Sequence, residues 1–164
     1  FYNLPIERLK DQKKYDLILC LTVIEHMPDV FNSFNKIFRL LKPNGIIYLT
    51  APNKLWPVES HYKLWFLSYL PLPLANRYMR IMGKGYSYED SAYSKTYFGM
   101  KSFFDLFPCK YQFVLPDNVG GEFMGCGSGG IFYKPMVKIG IYLIRKLPIF
   151  WVFSKGFIMI IRKD

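Results

Sequence analysis

Titratable side chains follow directly on a short apolar run near the start of the chain. The run extends from Leu17 to Leu21, and Thr22, Glu25 and His26 come immediately after it. Its length and boundaries are typical of a strand that is buried on both faces. In open parallel sheets the ligand crevice lies outside the carboxyl ends of the strands. A hydroxyl, a carboxylate and an imidazole at such an end therefore indicate a site that binds a ligand or moves a proton.

The same pair, Glu25 and His26, also has a purely structural interpretation. Asp29 is a favourable N-cap residue, and the apolar residues after it recur at the three- and four-residue spacing of a helix face. These residues are Val30, Phe34, Ile37, Phe38 and Leu41. Glu25 and His26 would then only orient the loop that precedes this helix, and the sequence leaves both interpretations open.

The next segments complete a supersecondary unit. The residues Lys42-Pro-Asn-Gly45 end the helix, and Gly45 to Thr50 is predicted to form a second strand. A strand, a helix and a strand within about forty residues form one right-handed crossover unit of a parallel sheet. The pattern therefore predicts an α/β fold.

These segments together resemble a known family. The stretches YDLILCLTVIEHMPD, LLKPNG and IIYLTAPN are similar to the middle of class I S-adenosylmethionine-dependent methyltransferases, where they contribute the fourth strand, a helix and the fifth strand. The resemblance is strong over residues 1–53 and weaker beyond. It implies a partial Rossmann-like sheet of parallel strands, with one antiparallel strand near the C-terminus between the fifth and sixth strands.

The resemblance also implies that the chain starts just after the third strand of the family. The glycine-rich turn would then lie upstream of Phe1, and we expect residues 1–164 to form a single, N-terminally shortened domain. A circular permutation is the alternative, because residues 125–130 spell GCGSGG late in the chain. A poor strand before this motif and Pro135 soon after it favour an ordinary loop instead.

S-adenosylmethionine is the cofactor that the resemblance implies. In the family, a loop with Leu-Pro at this position lies along the adenine, which assigns Asn3 and Leu4 to the cofactor. Leu21, Thr22 and Val23 correspond to the place where the family contacts the methionine end, chiefly through backbone. An alternative is that Leu4 and Ile6 only pack the loop onto the sheet.

Residues 54–100 are predicted to form a helical lid, rich in aromatic residues, inserted after the second strand. Loops of this size are usually functional when they are not disordered. The aromatic rings either line a pocket for an apolar or ring-containing acceptor or form the lid's own core. The substrate-binding candidates are Asn53, Trp56, Tyr62 and Trp65. His61, which Glu59 or another carboxylate can tune, is the lid's candidate for catalysis.

Methyl transfer places specific demands on such a site. The cofactor supplies the reactivity, and the protein aligns acceptor and methyl group and excludes water. A base is needed only when the acceptor is a hydroxyl or a protonated amine. Glu25 and His26 are best placed for that role, with His61 arriving from the lid. The expected acceptor is a small or lipid-like molecule that is methylated on O, N or C.

We expect no metal at this place. Some relatives with a Glu-x-x-Glu-His motif here bind a divalent metal. In this chain Thr22 replaces the first carboxylate, which leaves two ligands too few for a closed site.

The chain is strongly basic. Its formal net charge is +10, and residues 131–164 carry seven Lys or Arg against Asp164 alone. This tail indicates an anionic neighbour or simply a solvated basic face. Ile149 to Phe153, with basic residues on both sides, indicates peripheral membrane contact. Nucleic acid is disfavoured, because basic and aromatic residues do not interleave on one face.

The cysteines and hydropathy indicate a cytoplasmic protein, with the inner membrane surface as a further option. Cys20, Cys109 and Cys126 have neither metal-ligand nor disulfide-framework spacing. No uncharged apolar stretch is long enough to span a bilayer.

The rest of the chain is predicted to alternate helix and strand. The pattern predicts helices over residues 101–107 and 136–147 and strands over residues 111–115 and 156–162.

Three functions follow from these patterns: a methyltransferase for small molecules, a non-catalytic fragment that cannot hold cofactor alone, or an RNA methyltransferase. For the isolated chain we expect no measurable heat with S-adenosylhomocysteine. We also expect poor solubility, because residues 17–21 would form an open hydrophobic edge.

Overall fold

One mixed, four-stranded sheet forms the centre of the protein in the computed structural model, which describes residues 3–10, 13–115 and 133–164. The strands are β1 (Tyr15–Leu21), β2 (Leu41–Pro52), β3 (Cys109–Phe113) and β4 (Gly156–Lys163), in the order β1-β2-β4-β3. β1 is parallel to β2, whereas β4 is antiparallel to both β2 and β3. This confirms the predicted fold class and the predicted antiparallel position of the last strand.

Helices connect these strands and cover the sheet. They are α1 (Val30–Leu40), α2 (Leu72–Ile81), α3 (Tyr97–Phe104) and α4 (Tyr133–Lys146), with 3-10 turns at Ile6–Arg8, Ile24–His26, Leu67–Tyr69, Glu89–Ser91 and Pro148–Phe153. α1 begins where predicted, because Asp29 Oδ1 accepts a hydrogen bond from the Asn32 amide at 3.2 Å. The crossover unit β1-α1-β2 is therefore confirmed.

β2 begins earlier than the sequence predicted. We expected the strand to begin at Gly45, but it begins at Leu41, and residues 42–45 form an irregularity within it, where the pairing with β1 jumps from Tyr15↔Leu41 to Leu17↔Ile46. Asn44 adopts a positive φ of 59° there. A Cβ at Gly45 would lie 2.8 Å from Leu41 Cγ, so this β-bulge requires glycine.

Three other boundaries also differ from the prediction. α3 starts one turn before residue 101, because Thr96 Oγ1 accepts from the Gly99 amide at 3.0 Å and caps the helix earlier. β3 is shifted toward the N-terminus relative to residues 111–115. α4 begins before Met136 and has Pro135 in its first turn, where a missing N–H costs nothing.

β1 is not buried on both faces, and that expectation is wrong. Within the described ranges it pairs only with β2, so it is an edge strand. Cys20 is buried, whereas Leu17, Leu19 and Leu21 are exposed, and Leu19 is 60% exposed. The reason is that no described element packs against the face that carries these leucines. The expected open apolar edge along residues 17–21 is therefore present.

The main core lies between the sheet and α1, α3 and the 3-10 turn at Pro148–Phe153. Phe34 of α1 is completely buried and makes edge-to-face contacts with Phe103, Phe104 and Phe107 at centroid distances of 5.0–5.5 Å. Such contacts add to the free energy that apolar burial supplies.

A second, smaller cluster lies in residues 54–96, the segment between β2 and α3 that we call the cap. Its buried residues are Leu64, Leu67, Ala75, Met79 and Tyr88. Tyr97 and Met100 belong instead to the main core. The aromatic rings of the cap divide: Tyr62 packs in this cluster, whereas Trp65 and Phe66 are exposed. The role of residues 54–100 as a lid stays a prediction.

The glycine-rich motif at 125–130, with Cys126 and the permuted alternative, lies outside the described residues. Across the described helices, none combines the length and apolar character needed to cross a membrane.

Two glycines allow a matched test of the sheet geometry. A Cβ at Gly156 would lie 2.7 Å from the backbone oxygen of Ala51 in the β2–β4 pair, whereas one at Gly140 in α4 meets nothing within 4 Å. We expect Gly156→Ala to lower the free energy of unfolding by about 1–3 kcal/mol. Gly140→Ala should raise it by about 0.8–1.0 kcal/mol through helix propensity. Urea denaturation of both variants measures the difference; equal stabilities would contradict this register.

Candidate functional site

The 3-10 turn after β1 carries a buried carboxylate. Glu25 is completely buried, and neither of its carboxylate oxygens has a hydrogen-bond partner among the described residues. Burial raises the pKa of Glu25 above its usual value, although the nearby His26 and His61 act in the opposite direction. The backbone oxygen of Glu25 accepts from the Tyr93 amide at 3.2 Å, which ties the turn to the cap.

The neighbouring residue, His26, is oriented by backbone. Its Nδ1 contacts the carbonyl oxygen of Asp90. Because a carbonyl can only accept, Nδ1 carries the hydrogen in this arrangement. The other ring nitrogen, Nε2, lies 3.9 Å from Glu25 Oε1. His26 is therefore held between the cap and the buried carboxylate.

His61 approaches from a tight hairpin in the cap. Val58 and Trp65 pair across it, and Lys63 has a positive φ of 58°. The Glu59 amide donates to the Leu64 carbonyl at 2.9 Å, and the Lys63 amide donates to the Glu59 carbonyl at 3.0 Å. These bonds bring the side chains of Glu59 and His61 together at the turn.

Glu59 binds His61 through both of its carboxylate oxygens. It is only 5% exposed. Oε1 lies 2.9 Å from His61 Nδ1, and Oε2 accepts from the His61 amide at 2.7 Å and from the Tyr62 amide at 2.6 Å. Charge-assisted bonds of this length fix both the turn and the ring.

The structure brings the three predicted catalytic residues together. Glu25, His26 and His61 each contribute one N or O atom to a group whose members lie within 4.8 Å of one another. The two imidazole rings meet edge to face, with centroids 5.0 Å apart. The hairpin explains why His61 lies close to Glu25 and His26 although it is distant in sequence. The catalytic role of the group stays a prediction.

His61 adds a third potential metal ligand to the two on which the expectation of no metal was based. The sequence offered Glu25 and His26, and the structure adds a second imidazole. Three donors remain one short of a closed four-ligand site, although open catalytic sites use three. The absence of a metal therefore stays a prediction.

The residues that the sequence assigned to the cofactor lie at the carboxyl end of β1 and in the N-terminal loop. Leu21 and Val23 are exposed. Thr22 lies between them with a positive φ of 49°, and its amide donates to the Thr50 carbonyl at 2.9 Å. This bond uses the Thr22 amide within the sheet and leaves the apolar side chains on either side exposed.

In the N-terminal loop, Asn3 and Leu4 are both exposed. The alternative that Leu4 and Ile6 pack the loop onto the sheet holds for Ile6, which packs against the core, but not for the exposed Leu4. A hydrogen bond from the Ser33 hydroxyl to Glu7 fastens this loop to α1.

The four substrate-binding candidates do not converge on one surface. Asn53 is buried, and its amide nitrogen donates to the carbonyls of Val152 and Ser154 at 2.8 Å each, which favours a structural role. Asn53 and Trp56 line a small cavity that Glu59 also lines. Tyr62 packs edge to face on Tyr88 with a centroid distance of 6.0 Å. Trp65 is exposed. Their binding role stays a prediction.

The contacts from Asp90 and Tyr93 were missed by sequence reasoning. Both act through main-chain atoms, which any residue type supplies, so no sequence signal marks them. Glu59 did carry a signal, because a carboxylate two residues before a histidine can reach its ring nitrogen.

Comparison with known proteins identifies the family. A family model described as a methyltransferase domain matches residues 3–97. Among curated proteins, ubiquinone biosynthesis O-methyltransferase from Rickettsia canadensis is 40% identical over 50 residues, which is 30% of this chain and 21% of that protein. The same enzyme from Pelagibacter ubique is 42% identical over 48 residues, 29% of this chain and 20% of that protein. The matched stretch thus spans about a fifth of these relatives.

A solved structure supports the fold. The plantazolicin methyltransferase BpumL, solved in complex with SAH, aligns with a TM-score of 0.50 at 14% identity, over 97% of this chain and 56% of that one. At this identity the likeness concerns the fold alone. The parallel β1-α1-β2 unit, the antiparallel β4 and a family match over more than half of the chain agree, and the chain belongs to the methyltransferase domain family.

Proposed function

We propose that the whole protein carrying these residues transfers a methyl group from S-adenosylmethionine to a small-molecule acceptor. Membership of the methyltransferase domain family supports the reaction class. The relatives' names, ubiquinone biosynthesis O-methyltransferase, favour a hydroxyl as the acceptor. A hydroxyl is also the acceptor for which two imidazoles beside the site are useful.

The observation that carries this proposal is the buried, unpartnered Glu25 beside two imidazoles. A buried carboxylate without hydrogen bonds costs about 1–3 kcal/mol or more. Folded proteins tolerate such a cost mainly where the group is used. The position of Glu25, beyond the carboxyl end of a parallel strand, is where ligands bind in open α/β sheets.

The chain's residues would act on the proton of the acceptor. His61 would accept the proton of the acceptor hydroxyl, which would make the hydroxyl oxygen nucleophilic toward the methyl group that S-adenosylmethionine would supply. Glu25 and Glu59 place negative charge beside the imidazoles, which stabilises the ring that has gained the proton. His26, held by the Asp90 carbonyl, fixes the geometry on the Glu25 side.

The exposed residues at the β1 end are suited to hold the cofactor. Leu4, Leu21 and Val23 are exposed apolar side chains, as contact with an adenine ring and an aliphatic chain requires. Asn3 and Thr22 would contribute polar groups. When bound, S-adenosylmethionine supplies the electrophilic methyl group.

We also propose that the C-terminal surface contacts a membrane peripherally. Exposed apolar and basic side chains occur together in residues 138–153: Lys138, Ile139, Tyr142, Arg145, Lys146, Leu147, Ile149 and Phe153. No Asp or Glu occurs between residues 123 and 163. Apolar residues among cations are the pattern of interfacial segments. Trp151 is buried and does not take part.

A transfer assay tests the reaction. Labelled S-adenosylmethionine is incubated with the whole protein and a set of catechols and hydroxybenzoates, and label in the product is counted. We expect transfer to at least one hydroxyl acceptor and a loss of about 10²–10⁴ in kcat for His61→Ala. The binding of S-adenosylhomocysteine, followed by calorimetry, should be unchanged.

Tyr86→Ala is the matched control, because Tyr86 lies in the same cap and is 87% exposed. It should retain the wild-type kcat. Transfer by His61→Ala at the wild-type rate would contradict the role of this imidazole, and no transfer by the wild type to any acceptor would contradict the choice of acceptor class.

The raised pKa of Glu25 predicts a pH effect on stability. A carboxylate whose pKa is raised by folding destabilises the folded state as pH increases from the unfolded value, 4.5, through the folded value. Glu25→Gln removes this effect, so the variant should gain stability relative to the wild type as the pH rises above 4.5. Urea denaturation at several pH values measures the free energy of unfolding of both proteins. A difference between them that does not change with pH would contradict the destabilisation by buried Glu25.

Vesicle sedimentation tests the membrane proposal. We expect the protein to bind phosphatidylcholine vesicles that contain phosphatidylglycerol, to bind less at high salt, and to bind pure phosphatidylcholine poorly. Phe153→Ser should reduce binding. Ile81→Ser is the control, because both side chains are 72% exposed and Ile81 lies in α2. An equal loss of vesicle binding in both variants would contradict the proposal that the C-terminal surface makes the membrane contact.

A further inference from the structure

We propose that Glu59 is a positioning residue that holds His61 in the tautomer with hydrogen on Nδ1. The neutral ring then has Nε2 as its one unprotonated nitrogen, ready to accept a proton. The catalytic consequence rests on the proposed function, whereas the tautomer itself does not. The argument comes from the contacts of Glu59, which is nearly completely buried.

The contacts divide between the two carboxylate oxygens. Oε2 accepts from two backbone amides, those of His61 at 2.7 Å and Tyr62 at 2.6 Å. Oε1 faces His61 Nδ1 at 2.9 Å. An ionised carboxylate only accepts hydrogen bonds, so the nitrogen that faces it must donate. The hydrogen bond made by one ring nitrogen sets the protonation of the other.

His26 shows the same arrangement with a different partner. Its Nδ1 faces the Asp90 carbonyl, which also only accepts. The two rings, 5.0 Å apart at an interplanar angle of 75°, thus both have Nδ1 as the donor. A backbone carbonyl cannot be removed by substitution, whereas Glu59 can be changed.

The division of contacts makes Glu59→Gln an informative variant. The side-chain amide has the shape of the carboxylate, with one oxygen that accepts and one nitrogen that donates. The oxygen can retain the two backbone amides that close the turn, because both bind the same atom, Oε2. The amide nitrogen then replaces Oε1 and donates to His61 Nδ1. The ring must accept there, and its hydrogen moves to Nε2.

Nitrogen NMR of the imidazole rings tests the tautomer. The protein contains two histidines, so ¹⁵N-histidine labelling gives two rings, assigned with His26→Asn. In the wild type, with EDTA present to remove metal ions, we expect Nδ1–H on both rings. In Glu59→Gln we expect His61 to change to Nε2–H and His26 to keep its tautomer. A wild-type His61 with Nε2–H, or a variant with unchanged Nδ1–H, would overturn the proposal.

Glu89→Gln is the matched control, because Glu89 is an exposed carboxylate of the same cap. It should leave both rings and the midpoint of thermal unfolding unchanged. If Glu59→Gln does not fold, the wild-type spectrum alone still decides the tautomer.

The transfer assay gives the functional arm. In Glu59→Gln we expect kcat to fall by about 10²–10⁴, as loss of the correct tautomer does in other imidazole bases, with KM for the acceptor unchanged. A changed tautomer with full kcat would overturn the positioning role. If the wild type transfers no methyl group, the proposed function fails, while the NMR result still decides whether Glu59 sets the tautomer.

Discussion

The burial of the Glu25 carboxylate without a hydrogen bond is the constraint on which the site depends. Removing a carboxylate from water is costly unless charge or hydrogen bonds compensate. Here two imidazoles, one adjacent in sequence and one delivered by the cap, offset part of this cost when they carry the extra proton. The cap must therefore hold its position relative to β1, which the bond from the Tyr93 amide to the Glu25 carbonyl and the contact between His26 and Asp90 accomplish.

The cap can do this because it has its own apolar cluster. Leu64 and Tyr88 bury their side chains there, immediately beside the hairpin that carries Glu59 and His61. Burial of Leu64 in this cluster and the hydrogen bonds of the Glu59 carboxylate both fix the hairpin. The carboxyl end of β1 and the cap thus meet at the imidazole pair, so side chains from distant sequence positions lie close together.

Strand length and the Asp29 cap act within short segments, so local patterns made the β1-α1-β2 unit predictable. The antiparallel position of β4 was predictable only from the family resemblance. The start of α3 was not predictable from apolar spacing alone, since the Thr96 cap decided it. The prediction that β1 is buried on both faces was wrong, because the burial of a strand depends on which elements pack against it and not on its own residues. Likewise, Glu25 and His26 were identifiable from their place after β1, whereas their meeting with His61 depends on how the cap folds back.

The titratable groups around Glu25 differ in what they can do with a proton. Burial raises the pKa of Cys20 to about 11, and it also raises the pKa of Tyr88, so both keep their hydrogens at neutral pH. Glu59 is occupied by three hydrogen bonds. The imidazoles remain, and imidazole is the side chain that exchanges protons near neutral pH. With both Nδ1 atoms engaged as donors, each neutral ring offers a lone pair on Nε2. This arrangement is consistent with the proposed hydroxyl acceptor, which loses a proton on methylation.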